Sequence, residues 1–164
     1  GAGANDWQDR GDVFASETET QDLAVQRRTG AMVALAAFLD QSAEQLERGP
    51  LVRSDAAKSL IPLWLVNHCL NIAISAREAM PPAPTNELVL HVLAVHQLMT
   101  SALQALARQD GRQVHRQVRH LLKPLLEDLG TRSFAISIAS HGTLVLLYRL
   151  LVAEASIQRT SIQR

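Results

Sequence analysis

Four interruptions divide this sequence, and none of the stretches between them reads as a strand. Gly49-Pro50, Pro81-Pro82-Ala83-Pro84, Asp110-Gly111 and Gly130 are residues that stop a helix or favour a turn. Proline lacks the backbone N–H a helix interior needs, and glycine loses more backbone freedom on ordering than any other residue. Between these breaks the apolar residues recur three and four apart. In the first stretch Leu23, Met32, Val33, Leu35, Ala36, Phe38, Leu39 and Leu46 follow helical rather than alternating spacing. Aromatic residues make up 4% of the chain, while Leu, Ala, Val and Ile are plentiful, a balance that favours helices over sheets. The expected fold is all-α, an antiparallel bundle of four to five helices, because short connections between long helices make neighbours antiparallel. At 164 residues the chain suits one domain with a sizeable core.

Residues 1–17 read as a flexible acidic lead, residues 18–155 as the bundle and 156–164 as a frayed tail. The opening Gly1-Ala2-Gly3-Ala4, with no methionine, reads as a cloning scar ahead of a piece of a larger, bacterial-type protein. Asp6, Asp9, Asp12, Glu17, Glu19 and Asp22 stand against Arg10 alone. Thr18-Glu19-Thr20-Gln21 has the form of a capping box, so the first helix is expected from there to Arg48, with Gly30 as its weak point. Ser54 or Asp55 caps a second helix reaching Ala79, with Pro62 either kinking it or marking its first turn. Thr85 or Asn86 opens a third, apolar nearly all round apart from Gln97, Ser101, Gln104 and Arg108. A fourth runs from Arg112 to Leu129, and a fifth follows Ser133 to about Ala155. The third and fifth, the most apolar, are expected at the buried centre. The uncharged stretches 59–76 and 133–148 carry Pro, Asn, His, Ser and Gly. They therefore read as core helices of a soluble protein rather than membrane spans.

Lys+Arg and Asp+Glu balance at 16 each, so any electrostatic function must come from local clustering. The fourth helix supplies one. Arg112, Arg116, Arg119 and Lys123 stand at i, i+4, i+7 and i+11, which places four cations on one narrow face with His115 and His120 beside them. Val114, Val118, Leu121, Leu125 and Leu129 take the other side, and the first carboxylate within the helix is Glu127. Such a row calls for a neutralising surface: an acidic partner protein, anionic lipid headgroups or a nucleic-acid backbone. Nucleic acid is disfavoured, because the chain has neither a basic excess nor a run of stacking aromatics. The alternative is a solvated face. The leading expectation is a non-enzymatic regulatory module docking an acidic protein through these six residues, with self-association to cover surplus apolar surface.

Other chemistry is thinly represented. Cys69 is the one cysteine and lies in an apolar run, so it reads as a buried thiol rather than a nucleophile. His91 and His96, like His115 and His120, are five apart, which separates each pair widely around a helix, and no metal or other cofactor is expected. His68, His91 and His141 lie in apolar runs and read as core histidines. Residues 104–130 carry one local resemblance, through Ala105 to Asp110, His120-Leu121-Leu122-Lys123 and Leu129-Gly130. This segment resembles the active helix of histidine phosphotransfer domains. That resemblance implies a phospho-accepting role for His120, with Lys123 assisting. Pro124 departs from the pattern, standing where the family places a small glycine.

Overall fold

In the computed structural model, residues 6–48, 61–82 and 84–164 are described, with side chains from Thr20 to Ala43 in the first stretch. Gly1–Ala4, expected to be a scar, and Ser54 and Asp55, expected to cap the second helix, lie outside the described residues. Five α-helices pack against one another: α1 (Asp6–Arg48), α2 (Leu63–Glu78), α3 (Val89–Gln109), α4 (Gly111–Leu129) and α5 (Phe134–Ile162). Among the described residues there is no strand. The central element is α3, which packs against each of the other four helices, while α4 and α5 lie against each other.

Several boundaries sit where the local chemistry demands. Pro62 is the residue before α2, with φ −58° and ψ 140°, so of the two readings of this proline the helix-start one holds. The Oδ1 of Asp110 accepts from the Arg112 backbone N–H at 3.1 Å, satisfying one of the free donors at the start of α4. A Cβ at Gly111 would collide with the Glu154 carboxylate, so this glycine also lets α5 approach the positive end of α4. A single 3₁₀ turn at Asn86–Leu88 precedes α3.

Other boundaries differ from expectation. Helix α1 begins at Asp6, which puts the Thr18–Gln21 box inside it, and it continues through Gly30. No proline interrupts it, and one internal glycine costs only about 1 kcal/mol. Gly130 ends α4 with φ −85° and its N–H bonded to the Leu126 carbonyl at 3.2 Å, without the left-handed turn that usually selects glycine. Helix α5 extends through Ile162, because no helix breaker lies between Ala155 and that point.

The core is aliphatic. Met32, Ala36 and Leu39 of α1 and Val66, Cys69, Leu70 and Ala73 of α2 meet Val95, Leu98, Met99, Ala102, Leu103 and Leu106 of α3. Val114, Leu121 and Leu125 of α4 and Leu147 of α5 close the cluster. Cys69 is buried, and that burial raises its thiol above its ordinary value, in keeping with a packing role. His91 is also buried. Its Nδ1 lies 2.7 Å from Thr29 Oγ1, tying α3 to α1. Burial, and then the nearby Arg28 charge, push its imidazole below the usual histidine value. His68 and His141, by contrast, are exposed: an apolar run in sequence wraps around a helix, and these two positions fall on its solvent side.

Candidate interaction face on the fourth helix

Helix α4 is amphipathic in the strict sense. Val114, Leu121 and Leu125 are fully buried, and at about 100° per residue they fall on the side opposite the basic row. Arg112, Arg116, Arg119 and Lys123 are all exposed, as are His115 and His120. Among the described residues no carboxylate forms an ion pair with any of the four cations; the ion pairs present lie in the interior. Arg119 Nε donates to His120 Nε2 at 3.3 Å, which joins the row to one of its flanking histidines.

On the inner side of α4, in register with its buried leucines, lies a polar network. Asp128, near the end of α4, is fully buried beneath the row. Its Oδ1 accepts from Arg77 Nε at 2.9 Å and from Arg77 Nη2. Its Oδ2 accepts from Arg77 Nε at 2.8 Å and pairs with His96 Nε2 at 2.8 Å. Arg77 is 2% exposed and also donates through Nη1 to the Pro81 carbonyl at 3.3 Å. His96 Nδ1 lies 3.3 Å from Thr143 Oγ1. One carboxylate thus joins α2, α3 and α4, and His96 carries the connection to α5. Burial by itself would raise the Asp128 carboxyl. The hydrogen bonds from His96 and Arg77, with their charges, overturn that and hold it below the usual carboxylate range. A buried charge is tolerated only when paired and hydrogen-bonded, and this one is both.

Where α4 passes the end of α2, a cavity of about 410 Å³ opens between Arg77, Met80, Arg119, His120, Lys123 and Pro124. Glu78 and Glu127 stand on its wall as well, so its lining is mixed in charge. Pro124 is accommodated inside α4 and is buried. The Arg77–Asp128–His96 network went unread in the sequence. The sequence pairs His96 only with His91, five residues away, and singles out neither Arg77 nor Asp128. The available signal was a lone aspartate on the apolar side of α4, in register with Leu121 and Leu125.

The fold and this face define an all-helical module with an outward cationic row and a polar lock beneath it. Comparison with protein-family models, with characterised proteins and with solved structures gives no match to this chain.

Proposed function

We propose that this chain is a non-enzymatic, soluble interaction module: an antiparallel bundle that docks an acidic partner protein through α4. The observation that carries the reading is the row Arg112, Arg116, Arg119 and Lys123, exposed and without a carboxylate partner among the described residues. Such a row raises the cost of self-repulsion in the free protein and lowers it on contact with an acidic surface, so the contact gains both steering and register. His115 and His120 flank the row and extend the surface it presents.

The test compares wild type with a variant carrying Glu at 112, 116, 119 and 123 in pull-downs analysed by mass spectrometry. Wild type should retain acidic proteins that are released by salt, and the variant should lose them. Recovery of the same proteins by both would refute the reading. Binding to anionic vesicles in preference to any protein would reassign the row to lipid headgroups.

A second reading rests on His120, exposed beside Lys123 at the mouth of the cavity. In that reading its imidazole accepts a phosphoryl group from a phospho-aspartate donor. Acid-labile labelling of wild type, abolished in His120→Gln, is the expected result, and absence of labelling by every donor tried removes it.

A further inference from the structure

Helix α5 carries two apolar stripes, and the protein's own core uses one of them. Ile136, Ser140, Thr143 and Leu147 are buried, at spacings of four, three and four. On the opposite side Phe134, Ile138, His141, Val145, Tyr148 and Val152 follow at spacings of four, three, four, three and four. Of these Phe134 is 79% exposed, Tyr148 69%, Ile138 54% and Val152 46%; His141 is exposed and Val145 half-buried. Alternating steps of three and four, sustained from Phe134 to Val152, are the seam of a helix that packs along another helix.

We propose that this outer seam is the interface of a homodimer in which α5 pairs antiparallel with α5 of a second copy. The seam is self-complementary about residue 143. An antiparallel partner brings Phe134 against Val152, Ile138 against Tyr148 and His141 against Val145, each contact occurring twice by symmetry. Every aromatic ring then meets a β-branched aliphatic side chain, and no histidine faces its own copy. A parallel pairing would stack His141 on His141. Gly142, with nothing within 4 Å of a Cβ built on it, lies beside the symmetry axis and leaves the two backbones free to approach.

The area reaches the threshold when the whole seam is covered. The four exposed apolar side chains present on the order of 550 Å² per copy, so burying all of them would remove roughly 1,100 Å², just above the roughly 1,000 Å² a specific interface should clear. A lipid bilayer suits the pattern less well. Although α5 is long and apolar enough to cross a bilayer, Arg149 and His141 are exposed midway along it, where an ionisable side chain facing hydrocarbon is costly. This pairing is separate from the α4 row and stands whether or not that row binds a partner.

Disulfide cross-linking tests both the pairing and its direction. Cys69 is 1% exposed, so introduced thiols act alone. Ile138→Cys mixed with Tyr148→Cys should cross-link, with each variant alone giving little covalent dimer. Sedimentation should show wild type at twice the protomer mass, and Tyr148→Glu should weaken dimerisation at least roughly tenfold. Its circular dichroism should not change, because Tyr148 is solvent-facing within the protomer. A monomer at roughly 100 μM, cross-linking of Tyr148→Cys alone in preference to the mixture, or sedimentation with neutral vesicles without dimerisation would each overturn the proposal. The α4 charge-reversed protein should dimerise as wild type does.

Discussion

Helices α3 and α5 are nearly matched in composition and opposite in situation. Both are long and apolar enough to cross a membrane by that criterion alone, α3 together with the turn before it. Yet 61% of the most apolar window of α3 is buried and 22% of that of α5. The difference lies in what surrounds them. Neighbours on several sides cover α3, and its buried set is largely aliphatic. Helix α5 meets the rest of the molecule along one side, where polar residues join alongside Leu144, Leu146, Leu147, Leu150 and Leu151. Ser137 Oγ donates to the Leu129 carbonyl at 2.9 Å, Ser140 Oγ donates to the Leu125 carbonyl, and Thr143 contacts His96. Apolar composition alone does not place a helix; the number of faces its neighbours occupy does.

That contrast can be broken most sharply at Asp128. Asp128→Ala leaves Arg77 buried without its partner and cuts the connection through His96 to α5. It should cost about 3–5 kcal/mol in urea unfolding. A loss below about 1 kcal/mol would mean that α5 is held by its apolar contacts after all. Leu103→Ala, in the fully buried part of α3, should cost about 2–5 kcal/mol through lost transfer energy and a residual cavity. Phe134→Ala on the outer side of α5 should change protomer stability by less than about 0.5 kcal/mol when measured at concentrations below dimerisation. Equal costs at the two positions would erase the distinction between the helices.

Acid should sharpen the comparison further. Asp128 is held below the ordinary carboxylate value, so its unfolded form takes up protons first as the pH falls. The stability it contributes is complete above about pH 3.9 and is lost as pH drops through the lower folded value. His91 is also pushed down. Its contribution is therefore present above about pH 6.5 and declines below that, as unfolded chains protonate first. Unfolding followed against pH should show an early loss that His91→Gln removes and a later one, at lower pH, that Asp128→Asn removes. One further substitution should give a gain. Gly30 is exposed, helical and unobstructed, so Gly30→Ala should raise stability by up to about 1 kcal/mol.

How far these features were legible depended on the range of the interactions behind them. The start of α4 at Asp110-Gly111 and its end before Gly130 could be read because a cap or a stop acts on neighbouring residues. The cationic row could be read because side chains four and seven apart share a helix face by geometry alone. The inner place expected for α5 did not hold. Its hydrophobicity says that something should cover it, but not whether that is another helix of the same chain. The polar lock was illegible for a related reason. Arg77 and Asp128 are 51 residues apart and His96 and Asp128 32 apart, and no local period links them.

Local chemistry was enough to make the described residues helical, to break most of the helices where they break and to put the positive charge on one side of α4. Those properties follow from backbone propensity and from the 3.6-residue turn, which act within a few residues. Long-range packing was needed to turn Asp128 inward to Arg77 and His96, to enclose α3, and to leave an apolar seam of α5 facing outward. Each of these depends on packing between distant segments, where the cost of burying a charge and the area left uncovered are settled by the whole fold.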